Sequence, residues 1–322
     1  MPFQLTPDPR FFFGSAGHTR AMAHLTYGLH QGEGFIIITG DVGAGKTTLV
    51  DLLISKLDKT SHVAAKIVTT QLAADDTLRM VAVAFGVYEE GLDKAALLRR
   101  IENFVTANMR NGKRSLLIVD EAQNLSISSL EELRMLTNIS VGGTPPLQSF
   151  LLGQPQFRAT LQNPALEQLR QRVTASYHLG PMSEPETQAY ILHRLKTVGW
   201  SDDPMFADGF YSAVFAQTGG VPRRINTLCS RILLFGFLEQ QHVIDRDAVD
   251  QVAEELHGEL GPIPGTTVID PEASAASAPG SDLGTATALT DRITALERSV
   301  SRHDRAIRRA IEIAASYVPT KR

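Results

Sequence analysis

The stretch that decides the fold is Gly40-Asp41-Val42-Gly43-Ala44-Gly45-Lys46-Thr47-Thr48, which fits the phosphate-loop pattern G-x-x-x-x-G-K-[S/T] throughout. An apolar, β-branched run precedes it at residues 35–39, and residues 47–57 predict a helix directly after it. The glycines permit a tight turn whose backbone N–H groups point at a polyphosphate, and the helix N-terminus adds positive partial charge. This order of strand, loop and helix predicts a nucleotide site in which Lys46 contacts the phosphates and Thr47 holds Mg²⁺.

A pair of acidic residues follows another buried strand. Residues 115–119 (SLLIV) are apolar and lead directly into Asp120 and Glu121. Because ligands bind outside the carboxyl ends of the strands in an open α/β sheet, Asp120 is expected at the same edge as Lys46. Asp120 is therefore a candidate Mg²⁺ ligand, and Glu121 a candidate general base that polarises the attacking water. The adjacent glutamate favours hydrolysis over nucleotide binding alone.

Other polar residues are candidates for contacts to the γ-phosphate. Gln154 follows the strand predicted at residues 149–152, where its amide either senses the phosphate or belongs to a Gln-Pro turn. Arg170 and Arg172 precede the strand predicted at residues 173–179. They either lie on a solvated face or reach a neighbouring subunit's nucleotide as an arginine finger. Arg223 begins a predicted helix, where it can face the nucleotide.

Composition divides the chain into four parts. Residues 1–180 are predicted to form the nucleotide-binding core, in which Phe11 to Phe13 either wall an adenine pocket or pack in the interior. Residues 181–260 predict a lid of four helices, which begin near Ser183, Asp203-Pro204, Pro222 and Asp245. Residues 261–286 are rich in Gly, Pro, Ala, Ser and Thr, which predicts a flexible linker. Residues 287–322 predict an amphipathic, coiled-coil-like C-terminal helix.

The predicted C-terminal helix carries a heptad seam that is interrupted at His303. Its apolar members are Leu289, Ile293, Leu296, Val300, Ile307, Ala310 and Ala314. Two interpretations follow from so short a seam: a frayed amphipathic helix, or a docking helix that pairs with itself or with a partner.

The composition is that of a soluble globular protein, since 43% of the 322 residues are hydrophobic and 20% are charged. No segment has the length and uniform apolarity of a membrane span. The chain has one cysteine, Cys229, so an intrachain disulfide is excluded, which suits a reducing cytosol. A net charge of −4 does not favour binding of the chain to nucleic acid, although it does not exclude a locally basic surface.

Taken in order, the motifs resemble those of AAA+ ATPases of the general-secretion-protein-A type, and especially the secretion ATPases associated with exosortase and exopolysaccharide loci. The resemblance covers roughly residues 3–257. It rests on PFQLTPDPRFFF, YGLHQGEGFIIITGDVGAGKTTL, LLIVDEAQNL, LEELRMLTN, FLLGQPQF, LRQRVTASYHLGP and TGGVPRRIN.

That resemblance implies an α/β P-loop fold with a five-stranded parallel sheet, a helical lid, and ATP hydrolysis with Mg²⁺. It places Gln154 at the first sensor position and Arg223 at the second, and it favours Arg172 over Arg170 as the finger. It also implies a homo-oligomer that serves protein partners in envelope export or polysaccharide production. Such a protein is expected in the cytoplasm, or peripherally at the inner membrane through its partners.

One departure and two rival functions accompany the resemblance. Larger members of the family carry a membrane span and a peptidoglycan-binding region where this chain has only the linker and one helix, so direct coupling to the cell wall is not expected. A DNA-associated regulator of the transposition type shares much of the motif set, but the acidic charge and the lack of a dedicated DNA-binding domain count against it. A nucleotide-gated scaffold with little turnover is the other rival, and Glu121 counts against it.

Overall fold

A five-stranded parallel sheet organises the computed structural model, which describes residues 1–6, 8–68 and 74–260. The strands are β1 (Phe35–Gly40), β2 (His62–Val68), β3 (Arg114–Asp120), β4 (Leu147–Gly153) and β5 (Val173–Leu179). They lie in the order β2-β3-β4-β1-β5, and every neighbouring pair is parallel. Each residue of β1 and of β4 is buried, as expected for central strands of a parallel sheet that is covered on both faces. The predicted α/β core is confirmed.

Helices cover both faces of this sheet. They are α1 (Ala16–Gln31), α2 (Lys46–Lys56), α3 (Ala74–Ala84), α4 (Lys94–Arg110), α5 (Ile127–Leu136), α6 (Gln156–Leu161) and α7 (Glu167–Arg170). Successive strand residues point to opposite faces, so Ile36 and Ile38 pack in the cluster that contains α1 and α2, while Ile37 packs in the cluster that contains α3, α4 and α5. The sheet is thus fixed from both sides, and its carboxyl edge carries the loops.

Four helices form the lid within the described residues 181–260. They are α8 (Glu184–Thr197), α9 (Phe210–Thr218), α10 (Pro222–Leu238) and α11 (Arg246–Leu260). Ser183 and Glu186 form a capping box at the start of α8, where the sequence predicts the first lid helix to begin.

The prediction that Asp203-Pro204 begins the second lid helix is wrong. Two short strands, β6 (Met205–Phe206) and β7 (Val243–Ile244), pair in parallel instead. The Met205 N–H donates to the His242 carbonyl at 2.8 Å, and the Ala207 N–H donates to the Ile244 carbonyl at 2.9 Å. Because these hydrogen bonds need extended backbone, α9 begins only after Gly209.

The first residues of the chain pack with the lid. Phe3 is 3% exposed and belongs to the apolar cluster of Tyr190, Ile191 and other lid residues, and Phe13 packs against that cluster. From composition alone these residues are expected to belong to the core. The N-terminal segment lies instead against the lid, whereas α1, which follows it, lies against the sheet.

Within the part of the chain that the structure describes, no helix combines the length and apolarity needed to cross a bilayer. The predicted linker (261–286) and C-terminal helix (287–322) lie outside the described residues.

Candidate active site

Lys46 lies at the start of α2 and is 6% exposed. Its ammonium donates to the carbonyls of Gly40 at 2.7 Å and Asp41 at 3.0 Å, both in its own loop. Burial lowers the pKa of Lys46, and the nearby carboxylates of Glu121, Asp120 and Asp41 oppose that shift. A buried ammonium bound by backbone carbonyls is well suited to receive phosphate oxygens, which are stronger acceptors.

Two loop positions require glycine. Gly43 has φ +82°, and a Cβ there would lie 2.2 Å from the Cβ of Arg223. Gly45 has φ +98°, and a Cβ there would lie 2.7 Å from Nε2 of His18. The loop thus combines left-handed backbone with close neighbours on both sides, which only glycine tolerates.

Thr47 and Asp120 lie in contact. The Thr47 hydroxyl donates to Oδ2 of Asp120 at 2.8 Å, although Thr47 lies in the helix after β1 and Asp120 is the last residue of β3. Mg²⁺ prefers a few carboxylate and hydroxyl oxygens and keeps several waters, so this pair beside the phosphate loop fits that ion.

Glu121 lies next to Asp120 with φ +55°, a left-handed conformation that is uncommon outside glycine. Its Oε2 accepts hydrogen bonds from the side-chain amides of Gln154 at 3.1 Å and Gln123 at 2.5 Å. The side-chain oxygen Oε1 of Gln123 accepts a hydrogen bond from the Gln154 backbone N–H at 2.9 Å. The candidate base and the candidate sensor are therefore joined through Gln123.

Gln123 was assigned no role from the sequence, although it lies two residues after Glu121 in the quoted motif. The position of Gln123 in the sequence does not indicate its contact with Gln154, because that contact depends on where the loop after β4 lies.

The sequence also gives no indication that His18 lies at the site. His18 is buried beneath the phosphate loop, and its Nδ1 lies 2.7 Å from the Ser15 hydroxyl. Burial lowers the pKa of His18, with the Ala44 backbone and Glu186 opposing, so the neutral ring is favoured.

Arg223 joins the lid to the phosphate loop. Its backbone N–H donates to the Gly43 carbonyl at 3.2 Å, and its side chain lies along Gly43. As the second residue of α10, it lies at a helix start that faces the phosphate loop.

The two finger candidates lie at the opposite, amino edge of the sheet. The Arg172 carbonyl accepts from the Phe35 N–H at 2.9 Å, where β1 begins, whereas the phosphate loop follows the end of β1. The Arg172 guanidinium donates to the carbonyl and hydroxyl of Thr137 at 3.0 and 3.1 Å. Arg170 donates to the carbonyls of Leu161 and Asn163 at 2.8 and 2.9 Å. Neither is brought together with Lys46 in the same chain.

A cavity of about 310 Å³ lies over the phosphate loop. Its lining includes Val42, Gly43, Gly45, Lys46, Thr47, Thr48, Glu121 and Arg223, together with Phe11 to Phe13 and other N-terminal residues. Gly40 and Ala44 are buried beside it. The aromatic run lines this cavity, and Phe11 is also buried at 6% exposure.

A larger cavity of about 490 Å³ lies between Gln154, Arg223 and α11, and Asp41 and Val42 also line it. Neither Lys46 nor Thr47 lines this cavity. The smaller cavity is therefore the candidate nucleotide site, because it alone of the two contains the lysine of the phosphate loop.

Part of the chain matches a known protein family. Residues 29–161 match a family described as an AAA domain. General secretion pathway protein A of Aeromonas hydrophila is 37% identical over 258 residues, which are 80% of this chain and 47% of that protein. Residues 29–161 thus form an AAA domain. The chain is similar to general secretion pathway protein A, and it spans about half the length of that relative.

Solved structures support the fold. The crystal structure of Cdc6p from Pyrobaculum aerophilum matches with a TM-score of 0.64 at 15% identity, covering 79% of this chain and 70% of that one. The ADP form of the Aeropyrum pernix ORC2 protein matches with a TM-score of 0.57 at 17% identity, covering 79% and 72%. At this identity the likeness concerns the fold alone.

Proposed function

We propose that this protein is an ATPase, which hydrolyses ATP with Mg²⁺ to drive or regulate a partner complex in envelope export or exopolysaccharide production. The observation that carries the chemical part is the meeting of Lys46, the Thr47–Asp120 pair and the Glu121–Gln154 pair around one phosphate loop. The process is proposed from the relative named above and from the motif resemblance to exosortase-associated ATPases.

Each group has a distinct role in this proposal. The Lys46 ammonium exchanges the Gly40 and Asp41 carbonyls for phosphate oxygens. Thr47 and Asp120 would hold Mg²⁺, which when bound offsets the negative charge of the β- and γ-phosphates. Glu121 accepts a proton from water as the water oxygen bonds to the γ-phosphorus and ADP leaves with the electron pair of the broken P–O bond. Gln154 orients Glu121 and that water.

Arg172 is proposed to complete the site of a neighbouring copy. The strand β1 rises roughly 17 Å between its two ends, so Arg172 lies too far from the phosphate loop of its own chain to contact it. Its proposed action is therefore in trans, which requires a homo-oligomer. Arg223 is proposed to act in cis from the lid, where it already contacts Gly43.

The proposal places the protein on the cytoplasmic side of the inner membrane, where ATP is available, and assigns it protein partners there.

The proposed chemistry is tested first with the purified chain, for which Mg²⁺-dependent ATP hydrolysis is the expected result. Lys46→Ala removes the ammonium that offsets the phosphates, so it should abolish nucleotide binding. Titration calorimetry with ADP measures that binding directly, and normal affinity in Lys46→Ala would contradict the proposed site.

The partner assignment has a separate test. A Glu121→Gln variant, arrested with bound ATP, is expected to co-purify with envelope-export or polysaccharide-synthesis proteins from its native cells, and Lys46→Ala is the matched negative control. ATPase activity is also measured with duplex DNA at several salt concentrations. Stimulation by DNA that falls steeply with salt would favour the rival DNA-associated function.

A further inference from the structure

The N-terminal strap, defined as residues 2–6 and 8–13, walls one end of the nucleotide cavity. Gln4, Leu5, Thr6, Asp8 and the aromatic run Phe11 to Phe13 line that cavity together with Lys46 and Thr47. Because Lys46 and Thr47 fix the phosphate end, the strap lies where the ribose and base must be held. The position of the strap therefore bears on nucleotide affinity without touching the reacting atoms.

An arginine of the lid holds this strap. Arg194, on α8, donates to the Pro2 carbonyl at 2.5 Å and to the Gln4 carbonyl at 3.3 Å. It also donates to the Tyr190 hydroxyl at 2.6 Å, which in turn donates to the Asn226 side chain at 2.8 Å. One guanidinium thus bridges the strap to two lid helices, α8 and α10.

Aromatic faces complete the surroundings of Arg194. The guanidinium carbon lies 4.8 Å from the ring centroid of Phe11, 5.4 Å from that of Tyr190 and 6.0 Å from that of Phe3. Phe3 and Phe11 belong to the strap, so they contribute both cation–π contacts and apolar packing. Arg194 is 6% exposed.

The energetics of a buried guanidinium explain why this arrangement matters. All three hydrogen bonds above end on uncharged oxygens, and two of them end on the strap. A buried charge is tolerated only while its donors are satisfied. If the strap lifted away, Arg194 would lose those two acceptors and two aromatic neighbours together. The arginine therefore strongly favours the conformation in which the strap lies against the lid.

From these contacts we propose that Arg194 is a positioning residue for nucleobase binding. In this role Arg194 holds the strap against the lid at the base end of the site, so the position of the strap depends on that of the lid. This proposal rests on the proposed nucleotide site, but it concerns the base end, whereas Lys46→Ala tests the phosphate end. It predicts that replacing Arg194 weakens the binding of nucleotides but does not change the binding of a polyphosphate that carries no base.

The test compares ADP with inorganic tripolyphosphate in titration calorimetry. In Arg194→Met the Kd for ADP is expected to rise on the order of 10-fold, because two charge-assisted hydrogen bonds and the ordered base wall are lost. The Kd for tripolyphosphate is expected to stay close to that of the parent protein. In steady-state assays the change is expected in KM for ATP more than in kcat.

Two further variants separate positioning from a general effect on folding. Val249→Ala removes methyl groups from the lid interior, where Val249 is fully buried, and should lower the thermal midpoint while ADP affinity is kept. Deleting residues 2–6 should weaken ADP binding as Arg194→Met does. In that deletion background Arg194→Met should cause little further loss, because the two changes act through the same contacts.

Three results would overturn the proposal. One is equal weakening of ADP and tripolyphosphate in Arg194→Met, which would indicate a role only in folding. Another is additive loss from Arg194→Met and the deletion. If the parent protein bound neither ligand, the proposed site and this inference would fail together. Weak ADP binding with intact tripolyphosphate binding supports it.

Discussion

Three side chains, Glu121, Gln123 and Gln154, define the polar end of the candidate active site. The side-chain amides of Gln123 and Gln154 both donate to Oε2 of Glu121, and these two hydrogen bonds hold the carboxylate in place. The Gln123 amide cannot be reversed without penalty, because its oxygen is needed by the Gln154 N–H. The orientation of the proposed base is therefore set by hydrogen bonds from two loops.

Replacing the proposed base tests its chemical role. Glu121→Gln keeps the size of the side chain but cannot accept the proton of the attacking water. ATP affinity is expected to persist while kcat falls by about 10²- to 10⁴-fold. Calorimetric ATP binding and phosphate release in the same preparation measure the two effects, and hydrolysis at the parent rate would show that Glu121 is not the base.

The role of Gln123 is tested by a comparison between two glutamines. Gln123→Leu removes the donor to Glu121 and the acceptor for Gln154, so kcat should fall on the order of 10-fold through loss of positioning. Gln162→Leu, on an exposed glutamine, is the matched control and should leave turnover unchanged. An equal effect of both changes on kcat would mean that the Gln123 bridge is not specific.

At the scale of single residues, the sequence predicts the positions of residues within one motif. It does not predict hydrogen bonds between side chains of different loops. The positions of Lys46 and Thr47 follow from the spacing of one loop, and that of Asp120 follows from the strand before it. The hydrogen bond between Gln123 and Gln154 joins residues 31 positions apart. Its existence depends on the register of β3 against β4, which local pattern does not specify.

Among the elements, the contact between the phosphate loop and α10 couples the core to the lid. Gly43 is the point of contact, and a methyl group there would overlap Arg223. Gly43→Ala is therefore expected to displace α10 and to weaken ADP binding on the order of 10-fold. Part of that effect comes from left-handed backbone, which costs about 1–2 kcal/mol for a residue with a Cβ.

A second glycine separates backbone strain from the contact. Gly86 has φ +71° and open space where a Cβ would lie, so Gly86→Ala introduces the strain without the collision. It should lower the thermal midpoint slightly and leave ADP affinity intact. Equal loss of affinity in both alanine variants would show that the Gly43–Arg223 contact has no part in binding.

The short strands of the lid show another limit of sequence analysis. A two-residue strand has no measurable period, so β6 and β7 cannot be distinguished from loop by pattern alone. The Asp-Pro pair at 203–204 has the usual signature of a helix start, and tertiary pairing overrides it. The longer helices, whose apolar spacing extends over several turns, lie close to where the sequence predicts them.

At the scale of the whole molecule, Arg172 tests whether the site is completed by a second copy. Arg172→Ala should leave nucleotide affinity near normal and reduce turnover on the order of 10³-fold if the arginine acts as a finger. Specific activity of the parent protein should rise with concentration. Mixing Arg172→Ala with Lys46→Ala should restore turnover, since each variant supplies the group that the other lacks.

Arg172→Lys is a useful companion, because it keeps a positive charge while it loses the two-fold donation to Thr137. Activity independent of protein concentration, together with no recovery on mixing, would exclude a role in trans and would leave Arg172 as a structural tie to the end of α5.

The packing of the strap on the lid also belongs to this scale, and it explains why composition alone cannot place the first residues. The Pro2–Arg194 contact joins residues 192 positions apart. Composition places the first residues beside the core that follows them, whereas burial of Phe3 places them with the lid. Only the folded chain brings these two parts together.

The hydrogen bonds from Arg194 to Pro2 and Gln4 also affect how the protein should be tagged for purification. An affinity tag or a fluorescent fusion joined ahead of Pro2 adds bulk beside a buried charge, and it pulls on the segment that walls the nucleotide cavity. A tag at the other terminus avoids that strain. Preparations that differ only in tag placement are expected to differ in ADP affinity, with the N-terminally tagged one weaker, and cleaving the tag should restore it.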